Sequence, residues 1–303
     1  MKKELLAVGH TALDYIITLE QFPEANNSAS INDMENFDGG AASNVAMVAA
    51  TLGIDTALVS AVGNEFLDSK CMKKMKEMNI DTSSFIVVKD KKTPTAFVLT
   101  NANGDQISYF YWGAAAEFQN SKVPLRAIEN SEVVHLATGD PTFNWKCGLA
   151  ANDNNKIVSF DPGQDLGLYP LDTLKDLIKN TSILFGNHHE INRILDSFKI
   201  DIQGLLDLGP KILIKTCGKD GSDIYSKNGK IHIDSILKEA VDPTGAGDSY
   251  RAGFLSRYIK GESIEDSARF ASSVSSFIVE AQGCQTNIPS FNKAYKRMSE
   301  FYL

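Results

Sequence analysis

The chain has 303 residues, 43% of them hydrophobic and 22% charged, with a formal net charge of −8. These proportions are ordinary for a soluble globular protein, and the acidic balance leaves no basic excess to displace counterions from a nucleic acid. Cys71, Cys147, Cys217 and Cys284 lie too far apart for a C-x-x-C metal or redox pair, and no run of about eighteen apolar residues is present to span a membrane.

Near the start, the apolar stretch Leu5–Val8 is too short for a secretory signal, so a cytoplasmic protein with reduced thiols is expected. In chain order the pattern predicts strand Leu5–Val8, helix Ala41–Leu52, strand Ala57–Val62, helix Glu65–Met78, and strands Val133–Leu136 and Ile157–Phe160. Helix Leu171–Lys179, strand Ile183–Phe185, helix His188–Phe198, strand Ile212–Lys215 and helices Gly245–Ile259 and Ile264–Ala281 follow. Apolar strands alternating with helices predict an α/β fold, a mostly parallel central sheet with helices on both faces. Two segments break the rhythm. Asp14–Glu20 and Thr95–Trp112 alternate polar and apolar residues, the second around an Asn103-Gly104 turn that signals a hairpin. They predict a small, half-exposed antiparallel sheet. The expectation is one α/β domain over residues 1–303, with a β lid formed by insertions at about 12–38 and 93–113.

Asp242-Pro243-Thr244-Gly245-Ala246-Gly247-Asp248 is a turn of small residues feeding a helix. Backbone N–H groups at such a start are free, and the helix dipole adds partial positive charge there. Gly245, Ala246 and Gly247 therefore predict an anion cradle, with the Asp248 carboxylate in the first turn beside the anion. A cradle with an adjacent base is what phosphoryl transfer to a hydroxyl needs. A tight loop packed under a helix is the plainer reading of a bare G-x-G-D. The full string resembles the signature of the ribokinase (PfkB) family of carbohydrate and nucleoside kinases, in which the last Asp is the catalytic base. The resemblance implies a ribokinase-like fold, ATP as phosphate donor and Mg²⁺, and leaves a monovalent cation open.

Four other stretches gain meaning from that resemblance. Gly39-Gly40-Ala41-Ala42-Ser43-Asn44 reads by itself as a small-residue helix start packed on the sheet. It resembles the family's G-G-x-x-x-N signature, which implies that Gly39, Gly40 and Asn44 bind substrate hydroxyls. Asp14, after the first strand, is a carboxylate able to accept two hydrogen bonds from a vicinal diol, and the family places a sugar-binding Asp there. Asn187-His188-His189-Glu190 resembles the family's N-x-x-E, implying Asn187 near the nucleotide and Glu190 organising Mg²⁺ through water. It is also close to a helix-capping box, and both readings can hold. Zinc at His188 and His189 is rejected, because adjacent side chains on a helix diverge and no third ligand is near in sequence. Lys215–Gly221 resembles the family's T-x-G loop, implying nucleotide contacts for Thr216, Gly218 and Gly221. Gln106 and Gln164 are neutral amides suited to phosphate or base, Gln106 being assigned to the nucleotide and Gln164 to the substrate. Neither a P-loop string nor G-x-G-x-x-G after the first strand is present.

A closer similarity runs through Gly9–Ile16, Trp112–Ala115, Leu136–Pro141, Ser159–Leu166 and Val279–Asn287. These segments look like the archaeal broad-specificity nucleoside kinases of the family, which phosphorylate the 5′-hydroxyl of inosine, guanosine and cytidine. Tyr109-Phe110-Tyr111-Trp112 offers either a stacking face for a base or a clasp between lid and core. A ribose- or fructose-type sugar kinase shares every motif above. A non-enzymatic nucleoside sensor on the same fold is expected to lose the base, and Asp248 is present. The expected partners are a nucleoside and ATP, with no nucleic acid and no membrane, and exposed lid strands suit a homodimer.

Overall fold

The computed structural model describes residues 2–302. Its strands are β1 (Lys3–Val8), β2 (Ala12–Leu19), β3 (Ile31–Gly39), β4 (Thr56–Val59), β5 (Ala61–Gly63), β6 (Ile86–Val88), β7 (Thr95–Thr100) and β8 (Gln106–Tyr111). They continue with β9 (Ser131–Leu136), β10 (Ile157–Phe160), β11 (Ile183–Asn187), β12 (Ile212–Thr216), β13 (Ser222–Ser226) and β14 (Gly229–Ile233). The helices are α1 (Ala41–Thr51), α2 (Lys70–Glu77), α3 (Leu125–Glu129), α4 (Pro141–Asp153), α5 (Leu171–Lys179) and α6 (His188–Phe198). The last four are α7 (Ile202–Leu208), α8 (Ala246–Tyr258), α9 (Ile264–Ile278) and α10 (Phe291–Tyr302).

Eight strands form the central sheet in the order β14-β13-β12-β11-β10-β9-β1-β4. The pairings from β12 to β4 are parallel, and only the β13 and β14 edge is antiparallel. Because the parallel part of the sheet is covered on both faces, its strands read as largely apolar, unlike the edge strand β14, which is mostly exposed. Alternate residues of β1 serve opposite sides. Leu5 and Ala7 join the core against α1, α2, α8 and α9, while Leu6 and Val8 join the one against α4, α5, α6 and α7. No helix among the described residues is long and apolar enough to cross a membrane.

A second sheet, ordered β3-β2-β7-β8, springs from the carboxyl end of β1, with β2 starting at Ala12. The expected hairpin joins β7 and β8 antiparallel, with Gly104 at φ 84° in its turn. The all-antiparallel expectation is corrected at one pairing. β2 and β7 run parallel, because the chain passes through the main body between them and returns in the same sense.

Other expectations change at their boundaries. The expected strand Ala57–Val62 is two strands: β4 stays in the central sheet, and after Ser60 the short β5 leaves to pair with β6. The expected helix Glu65–Met78 is a tight 3₁₀ turn over Asn64–Asp68 followed by α2. Ser69 separates them, its Oγ accepting from the Met72 N–H at 3.0 Å as an N-cap. α9 ends at Ile278 rather than Ala281. α3, α4, α7 and α10 were not expected. α4 nonetheless carries a sequence signal, with Asp140 capping at 2.8 Å and Pro141 at its first position.

Candidate active site

Apart from Gln106 and Gln164, the residues singled out in the sequence fall at the start of β2, at or just past the carboxyl ends of β11 and β12, and where α1, α6 and α8 begin. Ligands of open α/β sheets bind outside such carboxyl ends. α8 starts at Gly245, which adopts φ 79°, and no side chain caps it. A Cβ on Gly245 would lie 2.6 Å from Cys284 Cβ and 3.0 Å from its Cα, so close packing as well as the positive φ requires glycine. The turn is held from outside by Asp242, whose carboxylate accepts from the Thr244 N–H at 2.9 Å and the Gly283 N–H at 3.0 Å. A helix start without a side-chain cap is suited to receive an anion, although the Ala246 N–H already bonds the Pro243 carbonyl at 3.2 Å.

α1 begins in the same way. Gly40, at φ 88°, precedes it without a side-chain cap, and a Cβ there would meet the Ala12 amide nitrogen and the His10 carbonyl at 2.6 Å. Gly39 lies against the Asp14 carboxylate, where any side chain would collide. Asn44, buried in the first turn of α1, donates from Nδ2 to Asp248 Oδ2 at 2.9 Å. That bond joins the two family-like motifs across 204 residues of sequence.

The carboxylates here are electrostatically stressed. Burial raises Asp14 to about 7, and the negative charges of Asp248, Asp242 and Asp38 add to the effect. Burial raises Asp248 to about 6 as well, while the Arg251 charge and the Asn44 hydrogen bond pull it down and Asp161 pushes it up. Arg251 lies three residues on from Asp248 along α8, so it shares that face of the helix. It is paired with Asp161, and both are almost fully enclosed. A buried guanidinium is retained only when its charge is matched, and here it faces Asp161, Asp248 and Glu190.

The capping reading of Asn187 holds. Its side chain accepts from the N–H groups of His189 and Glu190, both at 2.9 Å, and Glu190 Oε2 accepts from the Asn187 N–H at 2.7 Å. Glu190 keeps Oε1 free of that cap, and burial with the nearby Asp161 charge raises its pKa. The two histidines next to it do not diverge as expected: their rings lie 3.8 Å apart. Even so, no group of three or more His, Cys, Asp or Glu among the described residues could hold a metal ion.

Thr216, Gly218 and Gly221 line a cavity of about 270 Å³ that reaches the helix start at Ala246 and Gly247 and is also lined by Pro243 and Tyr250. Asn187 pairs with Thr216 across the sheet and so adjoins this cavity. Gln106 and Gln164 stand apart from these groups. Gln106 is exposed beside the hairpin turn, with Nε2 3.4 Å from Thr100 Oγ1. Gln164 is exposed on the turn after β10, although its neighbour Asp165 reaches His10 at 3.4 Å. Phe110 and Trp112 pack on His10, each with ring centroids 5.0 Å away, although Phe110, like Tyr109 and Tyr111, remains partly exposed to solvent.

The sequence reading assigned nothing to Asp161, Arg251, His10 or Gln285. For Arg251 a signal existed, since its position one turn beyond Asp248 puts a cation under any anion cradle. Asp161, His10 and Gln285 become visible only through contacts between distant segments.

Residues 2–290 match the family described as pfkB family carbohydrate kinase. The chain is 54% identical over 297 residues to a nucleoside kinase of Methanothermobacter thermautotrophicus, covering 98% of this chain and 96% of that one. The crystal structure of the Methanocaldococcus jannaschii nucleoside kinase is similar at TM-score 0.94 and 42% identity, with 98% of each chain covered. A Burkholderia thailandensis nucleoside kinase solved with inosine shares the fold at TM-score 0.88 and 23% identity, over 98% of this chain and 97% of that one.

Proposed function

The chain belongs to the pfkB family of carbohydrate kinases, enzymes that transfer a phosphoryl group to an alcohol, and from that premise we propose that it phosphorylates the 5′-hydroxyl of ribonucleosides, with ATP as donor. The observation that carries this reading is the Asn44–Asp248 hydrogen bond, which sets a sugar-binding candidate against a carboxylate at an uncapped helix start. The high identity to two nucleoside kinases supports the acceptor class.

In this proposal Asp14 accepts hydrogen bonds from the ribose 2′- and 3′-hydroxyls, and Gly39 and Gly40 let the sugar approach the backbone. Asn44 contacts the sugar and holds Asp248. Asp248 orients the 5′-hydroxyl and takes its proton as the oxygen attacks the γ-phosphorus. The N–H groups of Gly245, Ala246 and Gly247 bind the phosphoryl oxygens at the positive end of α8. Thr216, Gly218, Gly221 and Asn187 surround the donor nucleotide. Gln164 and Gln106, which stand apart from these groups, are given no contact with either substrate. Mg²⁺ fits this donor set, since Glu190 retains one oxygen and the ion commonly completes its shell with phosphate oxygens and water. When bound it would neutralise phosphate charge. A monovalent cation stays open. The small sheet is proposed to close over the acceptor as a lid and exclude water, with the whole chain as one domain. Its edges at β3 and β8 suit a homodimer.

The test is a panel of nucleosides and free sugars with ATP and Mg²⁺. A base buried by the lid supplies binding energy that free ribose lacks, and that energy serves orientation at the reacting hydroxyl. Inosine, guanosine or cytidine is expected to exceed ribose and fructose in kcat/KM by at least about a hundredfold, some 2.7 kcal/mol. A free sugar that matches the best nucleoside overturns the acceptor and leaves the phosphotransferase.

A further inference from the structure

Gln285 lies in the segment between α9 and α10 and is 7% exposed. Its Nε2 donates to Asn44 Oδ1 at 2.9 Å and to Ser43 Oγ at 3.2 Å. Both protons of that nitrogen are thereby used. The segment itself is fixed, for the Gly283 N–H bonds to Asp242 and Asn287 Nδ2 donates to the Phe277 carbonyl at 2.7 Å. Cys284 packs on Gly245. Gln285 is thus anchored to the loop that carries Asp248 while reaching across to α1.

The physical point concerns the Asn44 amide. Turning it by 180° exchanges its oxygen for its nitrogen with almost no change of shape, so packing cannot choose between the two settings; hydrogen-bond partners must. An ionised Asp248 accepts only. If Asn44 presented Oδ1 to it, two acceptors would face each other in an enclosed site, and a buried polar group left unmatched is costly. Gln285 faces the opposite end of the same amide with a donor, which selects the setting that aims Nδ2 at Asp248. We propose that Gln285 is a positioning residue for phosphoryl transfer, acting through Asn44 to keep an N–H donor on the Asp248 carboxylate. The proposal rests on Asp248 being the base.

The discriminating variant is Gln285→Glu, which keeps size and shape but replaces the donor with an acceptor. Above the pKa of the new carboxyl, Asn44 then cannot satisfy Glu at one end and Asp248 at the other, so the comparison is made at alkaline pH. The expected loss in kcat is about 10- to 100-fold, with the KM for ATP changed less than about threefold. Gln285→Met removes the donor without opposing it and is expected to lose only about 3- to 10-fold. A residue that merely fills space predicts the reverse order, because Met alters the shape and Glu does not.

A double-mutant cycle supplies the second readout. In an Asn44→Ala background the amide is gone, so Gln285→Glu is expected to cost no more than about twofold further. Should Gln285→Glu not fold, the same cycle is run with Gln285→Met, with thermal melting confirming the fold. Wild-type kcat in Gln285→Glu, a larger loss for Met than for Glu, or an equal loss with and without Asn44 overturns the proposal. Asp248→Asn separates this failure from the broader one. If that variant is inactive while the cycle is additive, only the role of Gln285 falls; if it turns over normally, the base assignment falls too.

Discussion

Around Asp248 the cleft is made of side chains: Asp14 and Asn44 face it, and the Arg251–Asp161 pair lies behind. Around Thr216 it is made of glycine backbone, small polar residues and aliphatic surface, and the only charged groups lining the cavity are Lys219 and Lys238. The first region is crowded with like charge, and its carboxylates are raised by burial. The second offers shape and amide groups. In the proposed reaction this assigns the two substrates different kinds of recognition. The acceptor is read hydroxyl by hydroxyl, whereas the donor is held by its phosphates and a permissive wall. Selectivity should be steep on one side and shallow on the other.

The comparison is broken most severely at Asp248. Asp248→Asn keeps the volume and removes the proposed base, and kcat is expected to fall by roughly 10²–10⁴, as general-base loss typically does, with nucleoside affinity little changed. Steady-state kinetics and a binding titration check this; near-wild-type turnover would contradict the assignment. A smaller effect is expected from the substrate. If Asp14 reads the ribose diol, 2′-deoxyinosine leaves a buried acceptor unmatched and should lose about tenfold or more in kcat/KM against inosine. Equal values would show that the diol goes unread. The smallest effect belongs to the donor side. Thr216→Ala leaves the backbone in place and should raise the KM for ATP no more than about fivefold. A loss as large as that at Asp248 would erase the distinction between the two regions.

The same contrast governs what the sequence made legible. The turn at Asp242–Asp248 and the start at Gly39–Asn44 are local: small residues, a positive-φ glycine and a helix follow one another, and the structure forms both. The apolar strands could be read because both sheet faces are buried. Pairings between remote segments could not. Gln285 and Asn44 are 241 residues apart, and nothing local in either segment signals the other. The parallel pairing of β2 with β7 was hidden for a related reason, since alternation reveals an exposed strand but not its direction. Gln106 illustrates the opposite hazard. A neutral amide suits a phosphate or a base, yet here it is turned to solvent beside a hairpin.

The buried carboxylates have a consequence for the endurance of the fold. The folded-state value for Asp248, about 6, lies above its ordinary 3.8. Its contribution is therefore most favourable below 3.8 and is lost as the pH rises through 6. Above that, keeping the group ionised costs the native state on the order of 3 kcal/mol at 1.36 kcal/mol per pH unit. Asp248→Asn should accordingly melt later than the natural protein by roughly 5 °C at pH 8, and the advantage should shrink toward pH 4. Scanning calorimetry at both pH values measures it, and a Tm gain that does not depend on pH would rule the account out. If Asp248 is the base, the substitution expected to cost most activity is then one that makes the fold more robust, and heat resistance is set against the charge the proposed reaction uses.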